Sequence, residues 1–153
     1  MKKTKWKLNS NLLAPMTNKY VSLLRQYDFK VTHARVKLLE RLECATKPMT
    51  AQELHEELAD GKIDLATVYR SLNKFADAGL IARVQLGDEF VRFEFVKHHH
   101  HHHIVCNKCG KVSEIELCNL DALSSAIAEK TGFRNIEHYV VFRGECQACA
   151  SHP

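Results

Sequence analysis

The chain has few structure breakers, with 6 Gly and 3 Pro in 153 residues. Collagen-like and Pro/Gly-rich low-complexity chains are thereby excluded. No apolar run approaches the about 18 residues of a membrane span, and the Lys-rich start lacks the apolar core of a signal peptide. A soluble, cytoplasmic protein without a membrane partner is expected. There is no HExxH and no nucleophile constellation. No Pro/Gly/Ser-rich linker and no internal repeat is present, and the only low-complexity segment is the six histidines of residues 98–103. What remains is ordinary globular composition, 45% hydrophobic and 26% charged, enough for one large domain or two small ones.

Charge and ligand residues divide the chain. Residues 1–83 carry 15 Lys/Arg against 9 Asp/Glu, a balance of +6, whereas residues 84–153 balance at −2. The basic half suits a polyanion, the plainer alternative being a solvated surface. Of the 6 Cys and 10 His, only His33, Cys44 and His55 precede residue 98. Three parts are expected: an N-terminal extension (1–17), a charged helical domain (18–96) and a ligand-rich domain (97–153).

The first domain reads as helices followed by a hairpin. A helix is predicted over 17–27, with Tyr20, Leu23, Leu24 and Tyr27 on one face. Thr32 can cap a second helix with Leu38, Leu39 and Leu42 on its apolar side. Thr50 and Glu53 form a capping box for a third, running to about Ala59. Asp64 can cap a fourth, from Leu65 to Ala78, stopped by Gly79. Residues 81–86, a Gly87-Asp88 turn and residues 90–95 read as a β-hairpin. Helices then a hairpin is the winged helix-turn-helix plan, in which the last helix enters the major groove. That helix carries Thr67, Tyr69, Arg70, Ser71 and Lys74, with Thr67, Arg70 and Lys74 on one face and Leu65, Val68, Leu72 and Phe75 supplying the apolar side. Arg reads guanine edges, and Tyr or Thr meets a thymine methyl or a phosphate. Periodicity alone also permits an ordinary amphipathic helix.

Cys106 and Cys109, with Cys146 and Cys149, form two CxxC pairs. Four thiolates make a closed tetrahedral zinc site, structural rather than catalytic. Buried free thiols or a redox pair are the alternatives. Cys44 is expected to be a buried small hydrophobe; for Cys118, near the ligand-rich segment, a structural role is favoured over the alternative of a ligand. In the His run, an extended backbone sends His101 and His103 to one face and His100 and His102 to the other, so one strand can feed two metal sites. Imidazole suits several divalent metals. Glu94, Glu114, Glu116 and Asp121 are the nearby acids. His138 is placed in a later strand, residues 136–142. A solvated His run that binds metal loosely is the plainer reading.

Taken together these segments resemble the ferric uptake regulator family of bacterial metalloregulators. The resemblance rests on Phe29-Lys30-Val31-Thr32, Ala66-Thr67-Val68-Tyr69-Arg70-Ser71-Leu72, Ala76-Asp77-Ala78-Gly79-Leu80, Arg92-Phe93-Glu94-Phe95, and the run from His98 to Lys111. It implies an α+β chain, with an N-terminal winged helix-turn-helix domain and a C-terminal α/β dimerisation domain holding a four-cysteine zinc site. It implies a homodimeric, metal-activated repressor of metal-uptake genes that binds an AT-rich inverted repeat in double-stranded DNA, and no enzyme. Lys30 matches a minor-groove contact, and Tyr69 and Arg70 match major-groove contacts. Glu94, His101, His103 and Glu114 match a hinge regulatory site. His100, His102, Asp121 and His138 match a further site.

Two departures bear on the regulatory metal. Pro48 stands where iron and peroxide sensors of the family usually supply a histidine. Glu94 stands close to where zinc-uptake regulators usually carry a cysteine. The long His run and Glu114-Ile115-Glu116-Leu117-Cys118 look like the zinc-uptake subtype, so zinc is favoured as regulatory metal over iron. Peroxide sensing is disfavoured, since it typically uses aspartates at the Glu94 and Glu114 positions. A zinc-buffering protein and a metallohydrolase are the readings from other classes.

Overall fold

The computed structural model describes residues 13–58, 63–96, 101–116 and 119–151, without the side chains of 13–17. The chain forms two compact units. The first comprises residues up to Val84 together with Arg92–Val96, and the second comprises Gln85–Val91 and the residues from Lys97 onward.

In the first unit, α1 (Leu13–Gln26), α2 (His33–Glu43), α3 (Ala51–Glu57) and α4 (Leu65–Asp77) surround one apolar core. Tyr20, Leu24, Leu38, Leu39, Leu54, Val68, Leu72 and Phe75 are fully buried in it. The helix ends follow from local chemistry. Thr32 Oγ1 accepts from the Arg35 amide at 3.4 Å. The Thr50 hydroxyl and Glu53 carboxylate exchange backbone bonds at 3.1 and 2.8 Å, as a capping box does. Asp64 Oδ1 accepts from the Thr67 amide at 2.8 Å. Two helices stop in Schellman motifs. Gly79 (φ 73°) ends α4, with bonds from Leu80 N to Phe75 O and from Gly79 N to Ala76 O. Asp28 (φ 55°) ends α1 in the same way, through Phe29 N to Leu24 O and Asp28 N to Arg25 O.

The hairpin strands are β2 (Ile81–Gln85) and β3 (Val91–Phe95). A strand with no forecast, β1 (Met49–Thr50), pairs antiparallel with β3, Met49 opposite Phe93. The sheet order is β1-β3-β2, so α2, α3 and α4 with this sheet form a winged helix. Several expected boundaries are corrected. The first helix starts at Leu13 rather than residue 17 and ends at Gln26, because Asp28 turns the chain. Both hairpin strands are a residue shorter than expected; Asp88 Oδ1 accepts from Phe90 N, so the turn spreads over five residues. The third helix is assigned to Glu57, and Ala59 lies outside the described residues. Cys44 is exposed rather than buried, since it caps α2 beyond the last apolar turn.

The second unit is built on a sheet of order β5-β4-β6, from β4 (His102–Cys106), β5 (Val112–Ile115) and β6 (Val141–Gly144). β5 runs antiparallel to β4, and β6 runs parallel to it. The expected strand from 136 begins only at Val141. Its partner there is His103, with which the ladder to β4 begins, so His138 precedes the strand rather than lying in it. α5 (Asp121–Thr131) connects β5 to β6, and α6 (Gln147–Ala150) follows β6. No residue of α5 is buried.

Candidate metal centre and nucleic-acid interface

Parallel pairing of β4 and β6 explains how two CxxC pairs far apart in sequence meet. Parallel strands end at the same sheet edge, and Gly144 lies opposite Cys106. Cys106 therefore ends one strand while Cys146 follows the other by two residues. The first pair sits on a tight turn closed by Gly110 N to Cys106 O, with Gly110 at φ 71°. The second pair opens α6, where Cys149 N bonds Cys146 O at 2.9 Å. The Cys146 amide donates across to Cys106 Sγ at 3.3 Å.

The four Sγ atoms all lie within 4.8 Å of one another. Cys109 and Cys146 sulfurs are 3.7 Å apart. A tetrahedron with metal–sulfur bonds of about 2.3 Å has an edge of about 3.8 Å, so this spacing fits zinc. Backbone amides of Cys146 and Cys109 aimed at Cys106 hold its thiol pKa down at about 6, so it is thiolate near neutrality. Hydrogen bonding with the Cys146 and Cys109 sulfurs pushes the Cys149 thiol up to about 12. Lys108 and Glu145 pair across the two turns at 3.2 Å, an exposed contact of small worth.

The histidines follow the strand alternation. His101 and His103 stack edge to face with centroids 5.1 Å apart, His103 being buried. Glu114 is the Cα partner of His103 across β4–β5, so it shares that face. The other face of β4 carries His102, buried, with its ring 5.3 Å from that of His138 and 6.2 Å from that of Phe142. Asp121 is exposed in the first turn of α5. Glu94 lies half-buried on β3 of the first unit. Pro48 is buried beside β1. His100 and Cys118 lie outside the described residues.

In the first unit, α4 turns Val68, Ser71, Leu72 and Phe75 inward and leaves Tyr69, Arg70, Asn73 and Lys74 exposed. Tyr69 is 47% exposed, unusual for an aromatic beside a complete core. Asp64 accepts from the Thr67 hydroxyl at 2.7 Å, and Arg70 donates to the same Thr67 oxygen at 3.0 Å. The hydroxyl and amide of Thr67 hold the Asp64 carboxyl below its usual pKa. Lys30 is exposed on the α1–α2 loop, where its carbonyl accepts from Arg35 at 2.8 Å. Phe29 packs edge to face on Phe75 at 5.3 Å, so the loop carrying Lys30 is seated on the buried side of α4. Arg83 of β2 donates to Asp77 Oδ1 at 2.7 Å and to Asn73, tying hairpin to helix. Sequence reasoning missed Arg83 and Arg143, since nothing in their spacing distinguishes them from surface cations.

Fold and site define a class: a winged helix with an exposed Tyr/Arg face, joined to an α/β unit whose four thiols are gathered for a metal. The ferric uptake regulator family profile matches residues 26–143. The chain belongs to the ferric uptake regulator family. The ferric uptake regulation protein of Escherichia coli K12 is 39% identical over 126 residues, 80% of this chain and 85% of its own. The Vibrio cholerae ferric uptake regulator, solved with rearranged DNA-binding domains, is 36% identical with a TM-score of 0.70, covering 82% of this chain and 98% of that one. A Francisella tularensis ferric uptake regulator with iron is 35% identical with a TM-score of 0.69, covering 80% and 95%. Proteins of this family are homodimeric, metal-binding, DNA-binding regulators rather than enzymes. Among the described residues, no helix is long and apolar enough to cross a membrane.

Proposed function

We propose that this cytoplasmic protein is a metal-activated, dimeric repressor of metal-uptake genes, with zinc as corepressor. The observation that carries the reading is α4, which completes its core packing on one side and presents Tyr69, Arg70 and Lys74 to solvent on the other, with Thr67 half-buried beside them. Arg70 reads base edges of an AT-rich inverted repeat, Tyr69 and Thr67 contact bases or phosphates beside it, and Lys30 reaches the minor groove. Cys106, Cys109, Cys146 and Cys149 hold structural zinc. His101 and His103 hold the regulatory metal, with Glu94 and Glu114 as its carboxylates; His100, His102, Asp121 and His138 form a further site. When bound, a divalent cation supplies charge and directed bonds that favour the DNA-competent shape. A change from 1:99 to 99:1 in favour of that shape requires about 5.5 kcal/mol of differential affinity. The boundaries 18–96 and 97–153 are those of the DNA-reading and dimerisation domains. Leu123, Ile127, Tyr139 and Phe142, all exposed apolar side chains of the second unit, suit burial against a second copy.

Iron is the second reading. The Escherichia coli and Francisella tularensis relatives are ferric uptake regulators, the latter solved with iron, and the proposed regulatory ligands include no thiolate. Fluorescence anisotropy on an AT-rich inverted repeat separates the readings, using protein that keeps structural zinc and is stripped of labile metal. Binding gained at trace buffered Zn(II) supports the zinc reading. Activation by anaerobic Fe(II), with Zn(II) no better, replaces it with the iron one. Binding that ignores both metals refutes metal-activated repression.

A further inference from the structure

The hairpin turn between β2 and β3 belongs by its packing to the second unit. Within that unit the Arg143 guanidinium of β6 donates from Nη2 to the Leu86 carbonyl at 2.5 Å. Leu86 itself is buried, 2% exposed. The guanidinium also lies against Gly87, so that a Cβ there would collide with it. Gly87 takes φ 78°, a left-handed conformation, and this is what lets the turn close under the arginine. Asp88 then accepts from Phe90 N at 3.3 Å, which completes the turn.

The base of this contact is tied to the thiol cluster. Arg143 is the Cα partner of Val105, and the next pair along is Cys106 with Gly144. The Gly144 carbonyl accepts from Asn107 N at 2.8 Å, and Cys146 follows two residues later. The strand that carries Arg143 is therefore held on one side by the chain of the first CxxC pair and at its end by the second.

We propose that Arg143 is a positioning residue that clamps the wing turn, residues 86–88, to the strand ordered by the four cysteines. The clamp couples the structural metal site to the turn at residues 86–88, and its consequence for DNA rests on the repressor reading above. A fixed turn presents the wing in one arrangement, whereas a released turn must be ordered again each time DNA is bound.

The test uses the full chain loaded with zinc, one equivalent in the cysteine site, and reads backbone order parameters and the Leu86 carbonyl shift by NMR. Arg143→Ala is expected to lower the order parameters at 86–88 from about 0.85 to below about 0.6, with the β4 and β6 amides unchanged. Gly87→Ala meets the guanidinium and also strains a left-handed position, and is expected to release the turn as well, so Arg143→Ala alone decides the clamp. Both variants are expected to lose about tenfold in affinity for an inverted-repeat DNA at saturating metal. Wild-type order at 86–88 in Arg143→Ala overturns the clamp. A loosened turn with wild-type DNA affinity in both variants overturns its coupling to DNA. If the wild type fails to bind DNA with any metal, the repressor reading fails while the NMR result still decides the clamp.

Discussion

Removing metal from the cysteine cluster should unfold the second unit and leave the first standing. The structure supplies the magnitudes. The large apolar side chains buried within the described second unit are Leu86 and Val105, and α5 has no fully buried residue. Each such side chain contributes about 1.5–3 kcal/mol. Structural zinc on four thiolates contributes about 10–16 kcal/mol in small domains at neutral pH, so the metal outweighs the local core. The first unit has its own continuous core from Tyr20 to Phe93 and no thiol of the cluster. Chelation at neutral pH, or Cys146→Ser, is therefore expected to bring amide exchange of His102–Cys106 and Val141–Gly144 to coil rates. Amides of α2 and α4 should keep most of their protection. The assay is hydrogen exchange read by mass spectrometry, with zinc content measured on the same samples. Persistent protection of β4 and β6 in zinc-free protein would refute the reasoning, as would simultaneous loss of α4.

Further outcomes follow from individual residues. Arg70→Ala should lower discrimination between operator and mismatched DNA by about 1–3 kcal/mol, checked by competition anisotropy, whereas Lys30→Ala should weaken all sequences alike and reduce the salt slope by about 1. Phe75→Ala should cost about 3–5 kcal/mol in urea unfolding, and the milder Phe29→Leu should weaken DNA binding through the Lys30 loop with little loss of stability. Thr50→Ala should cost about 1 kcal/mol by removing the capping box of α3. Burial works to raise the Glu53 pKa, but the Thr50 amide, Lys47 and the Thr50 hydroxyl outweigh it and hold the carboxyl below its ordinary 4.5. A folded-state pKa lowered in this way gives stability that is present above 4.5 and is lost as pH falls through the lowered value. Glu53→Gln should therefore flatten the acid limb of thermal stability below about pH 5, measured by calorimetry.

Local chemistry was readable in the residues themselves. Caps at Thr32, Thr50 and Asp64, the Gly79 stop and the spacing of Leu38, Leu39 and Leu42 act within a turn or two of the chain, so one sequence suffices to place α2, α3 and α4. The CxxC pairs and the alternation that separates His101 and His103 from His102 are equally local, because two-residue spacing and a two-residue period are properties of the backbone. Partners across the fold were a different matter. The pairing of β1 with β3 depends on a two-residue strand too short to carry a pattern. The parallel register of β4 and β6, which brings Gly144 to Cys106 and so gathers the thiols, is set by packing between segments far apart in sequence. The same long-range contact shortens β6, seats Arg143 over Gly87 and gives the hairpin turn to the second unit. Cys44 was misjudged for the complementary reason: a periodic stripe says which face is apolar, while only the tertiary structure says where that face stops being covered.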